Sequence, residues 1–175
     1  RLVFARLDFS LVAGEMLVLR GANGSGKSTL LRVMAGLTPV LSGEIRWGDG
    51  PILTDRLAHN SRCHYVGHQD ALKPVLTVRE NLAAAAGIAG IADPAIAEAI
   101  RRLALDALAD LPVRFLSAGQ RRRAALARLA LGPAALWLLD EPTTHLDSAA
   151  VAAFLALVAE HRQRGGMALV ATHDD

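Results

Sequence analysis

The residues with the clearest chemistry lie in a glycine-rich segment near the start of the chain. This segment follows the apolar stretch Met16–Leu19 and matches the phosphate-binding pattern G-x-x-x-x-G-K-[ST]. Its residues are Gly21, Ala22, Asn23, Gly24, Ser25, Gly26, Lys27, Ser28 and Thr29. Glycines let backbone N–H groups turn inward around phosphates, the lysine adds a charge at the β/γ oxygens, and Ser28 can ligate Mg²⁺. The segment predicts a bound nucleoside triphosphate, with an ordinary glycine-rich turn as the plainer alternative.

Two acids follow a second informative segment. Residues 135–139 form an apolar run of buried-strand length, which ends in Asp140, Glu141 and Pro142. An acid at a strand end beside a phosphate loop can hold Mg²⁺, and this is the role predicted for Asp140. Glu141 is then placed to polarise a water molecule toward the γ-phosphate. A solvated acidic turn is the alternative.

A third segment, residues 116–120, reads Leu-Ser-Ala-Gly-Gln. Ser117 and Gln120 have the spacing of a capping box, and the apolar residues that follow recur at helical spacing. The free N–H groups at such a helix start form an anion site. A capping box alone is usually structural, but its position between the phosphate loop and the acidic strand favours a role toward nucleotide.

Leu-Ser-x-Gly-Gln is the signature of ATP-binding cassette (ABC) ATPases, and the chain resembles that family from about Leu2 to His173. The resemblance implies an α/β P-loop fold with a mostly parallel central sheet and a helical subdomain insert. It also implies a head-to-tail homodimer that holds two ATP molecules at its interface. In such a dimer the signature residues face the γ-phosphate held by the other subunit; here they are Ser117, Ala118, Gly119 and Gln120.

The remaining ABC elements follow in the family's order, and the resemblance implies their roles. Gln69 is expected to sense Mg²⁺ and water, Asp147 to belong to the D-loop, and His173 to contact the γ-phosphate. The catalytic set is therefore Glu141, His173 and Gln69, and the Mg²⁺ set is Ser28, Gln69 and Asp140. Taken alone, such a glutamine is usually a surface residue and such a histidine an ordinary loop residue.

Three stretches resemble the ATPase subunit of the haem exporter used in cytochrome c maturation: residues 65–73, 116–123 and 136–142. Ala118 in the signature and Trp137 before the acids distinguish them from commoner ABC proteins. The resemblance implies integral membrane permease partners and a peripheral location on the cytoplasmic face of a bacterial inner membrane. The alternatives are an ABC ATPase for another cargo, a soluble ABC ATPase acting on nucleic acid or ribosomes, and a nucleotide-gated scaffold without activity.

Composition and charge help to decide between these alternative functions. A net charge of +2 is too mild to indicate nucleic-acid binding, and the run Arg121, Arg122 and Arg123 is interpreted as the solvated first turn of the signature helix. The single cysteine, Cys63, excludes a disulfide framework and permits a reducing cytoplasm. No run approaches the roughly 18 apolar residues of a membrane span, and no secretory signal is visible.

The organisation predicted for residues 1–175 is a single ABC domain, truncated at both ends, with a helical subdomain over about 76–131. Thr77 with Glu80, Asp93 with Pro94, and Ser117 mark three helix starts within that subdomain. Glycines at 87 and 90 predict an imperfect helix over residues 82–92. An aromatic residue that would stack on adenine is expected outside the chain.

Overall fold

The main sheet brings several predicted site residues to strand ends. The computed structural model describes residues 3–48 and 50–173. The strands are β1 (Met16–Leu19), β2 (Arg46–Trp47), β3 (Gly50–Pro51), β4 (Cys63–Val66), β5 (Leu136–Asp140) and β6 (Met167–Ala171). Four parallel strands lie in the order β1-β6-β5-β4, and β2 and β3 form a separate antiparallel pair. The parallel sheet expected from the sequence is confirmed. The chain ends, where truncation is predicted, lie outside the described residues, as does Leu2.

Strand β5 is central because its residues suit a position covered on both faces. All five of its residues are buried, as expected for an apolar run without alternation. Its register sets Leu138 opposite Leu169 of β6 and Tyr65 of β4. Leu31, from the helix after the phosphate loop, belongs to the same buried cluster. The loop and the acids at the end of β5 are thus attached to one core.

Capping residues explain where the helices begin. The helices are α1 (Lys27–Met34), α2 (Arg56–Arg62), α3 (Val78–Ala89), α4 (Pro94–Arg102), α5 (Ala118–Ala127) and α6 (Ser148–Gln163). The capping box at Thr77 is confirmed, since Thr77 N donates to Glu80 Oε2 at 2.8 Å and Glu80 N to Thr77 Oγ1 at 3.1 Å. Asp93 precedes α4 as expected but makes no side-chain capping bond.

An imperfect helix is expected over residues 82–92 because of Gly87 and Gly90. Gly87 does not interrupt the helix, whereas Gly90 ends it. Helix α3 continues through Gly87 and ends at Gly90, whose φ of 67° is left-handed. A single interior glycine costs only about 1 kcal/mol, which the buried face of α3 offsets. That face carries Val78, Leu82 and Ala86.

The chain divides into two compact units. The first consists of residues 1–68, 134–141 and 161–175 and contains the parallel sheet; the second consists of residues 69–133 and 142–160 and contains α3, α4 and α5. The predicted helical subdomain, 76–131, falls within the second unit, and its bounds stay a prediction. Among the described residues, no helix combines the length and the apolar character needed to cross a membrane.

Candidate nucleotide-binding site

The phosphate loop has the backbone that its glycines allow. Gly24 and Gly26 have φ values of 79° and 103°, in the left-handed region that residues with a Cβ rarely adopt. Gly26 occupies the N-cap position of α1 and offers no side chain for capping, so N–H groups of the first turn stay available to an anion. Lys27 Nζ donates to Gly21 O at 2.5 Å and to Ala22 O at 3.2 Å. The lysine ammonium is thereby held beside the loop backbone.

Glu141 shares a cleft with this loop. The cleft has a volume of about 340 Å³, and its lining includes Lys27, Ser28 and Glu141. Glu141 has a left-handed φ of 47°, and its N–H donates to Ala171 O at 2.9 Å. A positive φ is uncommon for a residue with a long side chain and is typical of functional sites. The strand-end geometry therefore turns this carboxylate toward the predicted phosphate site.

His173 lies beside Glu141 because β5 and β6 are neighbours in the sheet. Its Nδ1 is 3.1 Å from Glu141 Oε1, and its side chain is 47% exposed against 20% for Glu141. The structure thus brings together two of the three residues predicted to be catalytic. The third, Gln69, is an exposed residue of the second unit, and its role stays a prediction.

Asp140 is buried at the end of β5, with an exposed fraction of 2%. Burial, and then the Asp140 charge, raises the pKa of Tyr65 on the neighbouring strand. Mg²⁺ in nucleotide sites is commonly held by one or two protein oxygens together with phosphate oxygens. The Ser28 hydroxyl and the Lys27 ammonium line the cleft, and they are groups that suit Mg-ATP. Whether Asp140 also holds the metal stays a prediction.

The signature segment forms the helix start that its sequence predicts. Ser117 N donates to Gln120 Oε1 at 2.8 Å, and Gln120 N donates to Ser117 Oγ at 3.2 Å, which confirms the capping box. At Gly119 an added Cβ would lie 2.4 Å from the carbonyl oxygen of His145. Only glycine permits this close approach. Asp147, predicted to act in the D-loop, also accepts a hydrogen bond from Ala150 N at 2.8 Å and so caps α6.

The interpretation of the arginine run as a solvated turn is wrong. Arg122 is buried, with 4% of its surface exposed. Its Nη1 lies 3.2 Å from Asp70 Oδ1, and its Nε donates to Pro142 O at 3.3 Å. Its two arginine neighbours also donate to backbone carbonyl oxygens. Charge in a sequence indicates exposure only on average, and a guanidinium can be buried where carbonyl and carboxylate oxygens surround it.

Asn81 is a second residue whose role sequence reasoning missed. Its Nδ2 donates to Lys73 O, Leu76 O and Thr77 O, and its Oδ1 accepts from Lys73 N at 2.8 Å. These bonds fix the backbone that follows Gln69. Asparagine is a poor helix former, so its presence just after a capping box is a signal that could have indicated a side-chain role.

A parallel sheet, a phosphate loop at a helix start and an acid pair at the end of another strand of the same sheet define the class of P-loop nucleotide-binding domains. The family model described as ABC transporter matches residues 4–144, and the chain belongs to the ABC transporter family.

Curated relatives extend this assignment over the whole chain. The chain is 52% identical over 175 residues to the cytochrome c biogenesis ATP-binding export protein CcmA of Rhodospirillum rubrum, covering 100% of this chain and 75% of the relative. It is 51% identical over 179 residues to the protein of the same name in Paramagnetospirillum magneticum, covering 100% and 82%. Among solved structures, a dimeric ATP-binding cassette in a post-hydrolysis state with ADP and Pi matches with a TM-score of 0.87 at 26% identity. That match covers 98% of this chain and 80% of the other.

Proposed function

We propose that this chain is the ATP-hydrolysing subunit of a membrane export complex, and that the cargo is haem for cytochrome c biogenesis. The observation that carries the ATPase proposal is the cleft that Lys27, Ser28 and Glu141 line together. The export role is supported by relatives named as ATP-binding export proteins of cytochrome c biogenesis. Haem as cargo is supported by three stretches that resemble the ATPase subunit of the haem exporter of cytochrome c maturation: residues 65–73, 116–123 and 136–142.

The chemistry follows from the residues at the cleft. Bound Mg-ATP supplies the phosphoryl group, and Mg²⁺ offsets its negative charge. Lys27 and the α1 N–H groups bind the phosphates, while Ser28 and Asp140 provide oxygens for the metal. Glu141 orients a water molecule and accepts its proton, and His173 holds the Glu141 carboxylate and contacts the γ-phosphate. Gln69 is proposed to sense Mg²⁺ and the attacking water.

A homodimer is proposed to supply the remaining contacts. The capped helix start at Ser117 and Gly119 would face the γ-phosphate bound by the partner subunit, with Asp147 at the same interface. Support comes from the anion-binding character of a helix start and from the dimeric ATP-binding cassette among the structural neighbours. Each composite site would then contain Lys27 of one subunit and Ser117 of the other.

The membrane permease is proposed to dock on the segment after Gln69. In the ABC family this region lines the groove for a cytoplasmic helix of the membrane subunit. Here Asn81 holds both the N–H and the carbonyl of Lys73, so the Leu72 and Lys73 side chains extend from a fixed backbone. Docking there would place the chain peripherally on the cytoplasmic face of the inner membrane.

Two variants test the ATPase proposal. Lys27→Ala should lose tight Mg-ATP binding because it removes the loop's side-chain cation. Glu141→Gln should keep ATP binding but lose turnover by on the order of 10²-fold, since the amide cannot accept a proton. Nucleotide affinity and phosphate release of the purified variants measure both effects. Near-normal turnover of Glu141→Gln would contradict the assigned base.

The transport proposal needs a separate test. In a bacterial strain that lacks its own export ATPase, the parent chain should restore covalent haem in c-type cytochromes, and Glu141→Gln should not. Substitution of both Leu72 and Lys73 should weaken co-purification with the permease while basal ATPase activity is retained. An active ATPase that restores no cytochrome c would assign the chain to another cargo.

A further inference from the structure

The chain passes from the first unit to the second at two points next to proposed catalytic residues. One crossing lies between His68 and Gln69, and the other lies between Glu141 and Pro142. The first residue after one crossing is the proposed Mg²⁺ sensor, and the last residue before the other is the proposed base. A contact that holds Asp70 therefore restricts the backbone of Gln69, and a contact that holds Pro142 restricts the backbone of Glu141.

A single side chain contacts both crossings. Arg122, in the second turn of α5, reaches Asp70 Oδ1 with Nη1 and Pro142 O with Nε. Asp70 directly follows Gln69, and Pro142 directly follows Glu141. The same helix begins at the signature residue Ser117. Arg122 thus joins three segments: the Gln69 segment, the Glu141 segment and the signature helix.

The environment of Arg122 makes these contacts strong. Its side chain is 5% exposed and that of Asp70 is 24% exposed, so solvent screens the pair far less than a surface ion pair. A buried guanidinium needs hydrogen-bond acceptors for its N–H groups, because an unpaired buried charge is strongly destabilising. Its fork geometry lets one side chain serve two acceptors in different directions, which a lysine ammonium on a flexible stem does less well.

We propose that Arg122 is a positioning residue for ATP hydrolysis, which clamps the segments that carry Gln69 and Glu141 to the signature helix through Asp70 and the Pro142 carbonyl. It acts through these two protein contacts. Its effect is to limit the movement of the chain at Asp70 and Pro142, each the direct neighbour of a proposed catalytic residue. Misplacement of a catalytic residue by about 1 Å can cost on the order of 10²-fold in rate. This inference rests on the proposed ATPase function.

The mildest test is Asp70→Asn, because it removes the charge and keeps the shape of a partly exposed residue. Loss of a charge-assisted hydrogen bond should lower kcat by on the order of 10-fold while the KM for ATP changes less than about 2-fold. The matched control is Asp110→Asn, which removes the exposed Arg79–Asp110 pair in the same unit, with side chains 49% and 78% exposed. That control should leave kcat and KM unchanged.

A double-variant cycle tests whether the clamp acts as one unit. If Arg122→Gln and Asp70→Asn act through the same contact, the double variant should lose less activity than the product of the single losses. Arg122→Lys should recover only part of the loss, since it restores charge without the fork. Equal kcat values for Asp70→Asn and Asp110→Asn, or fully multiplicative losses in the double variant, would overturn the proposal.

Hydrogen exchange separates failure of this inference from failure of the proposed function. In Asp70→Asn, amide exchange in residues 69–72 and 143–147 should speed by on the order of 10-fold, whether or not the parent hydrolyses ATP. Unchanged exchange in both segments would refute the clamp even if the parent is an active ATPase. Faster exchange in a parent without ATPase activity would support the clamp and refute only the assigned reaction.

Discussion

Replacement of Gly119 by alanine perturbs the signature helix at one atom. Gly119 lies in the first turn of α5, and a Cβ there would be 2.4 Å from the backbone carbonyl oxygen of His145. Side-chain Cβ atoms essentially never approach closer than 3.0 Å, so the two backbones must move apart by at least 0.6 Å. Neither partner is a flexible side chain that could rotate away.

The magnitude follows from this forced shift. Inserting a methyl group into a tight backbone contact costs about 1–3 kcal/mol. In a chain of this size that cost lowers the melting temperature by about 2–4 °C per kcal/mol. Such a shift at a helix start that we propose to face nucleotide should also lower turnover by on the order of 10-fold.

A matched glycine gives the opposite expectation. Gly87 lies inside α3 of the same unit, and a Cβ there would have no atom within 4 Å. Gly87→Ala should therefore stabilise the protein by about 0.5–1 kcal/mol, since alanine loses less entropy in a helix. Turnover should not change.

The assay combines thermal unfolding with steady-state ATPase turnover for the parent and the two alanine variants. The expected result is opposite shifts in melting temperature, with loss of turnover in Gly119→Ala alone. If Gly119→Ala melts and turns over like the parent, the contact between α5 and the His145 carbonyl does not have the tightness described, and the reasoning fails.

Three further predictions use other parts of the chain. Mixing Lys27→Ala subunits with Ser117→Ala subunits should recover part of the ATPase activity, since half of the composite sites in mixed dimers are intact; activity that merely averages the two would contradict the dimer. Burial raises the pKa of Cys63 to about 12, so iodoacetamide at pH 8 should modify it only after unfolding, as mass spectrometry can show. Burial lowers the pKa of His161 below its ordinary 6.5, so its stabilising contribution is present above pH 6.5 and is lost as the pH falls. His161→Phe keeps an aromatic ring against Trp137. In this variant the free energy of unfolding, measured by urea titration, should fall less as the pH drops below 6.5. An unchanged pH dependence would mean that another group causes it.

The sequence by itself was sufficient for features that depend on local interactions. The phosphate loop needs glycines at set spacing, the capping boxes at Thr77 and Ser117 close within four residues, and β5 is a continuous apolar run. Each can be recognised in a short window because the atoms that make it are neighbours along the chain. The order of these segments along the chain supports the resemblance to the ABC family, and that resemblance implies the parallel sheet.

Only the tertiary structure decided which residues distant in sequence meet. The register of β5 with β6 sets Glu141 beside His173, although 31 residues lie between them. The run of three arginines predicts exposure, yet Arg122 is buried against Asp70, 52 positions away. The close approach of Gly119 to the His145 carbonyl has no local signature either. Such contacts depend on how whole helices and strands pack, and burial and hydrogen bonding there override the average preference of a charged residue for water.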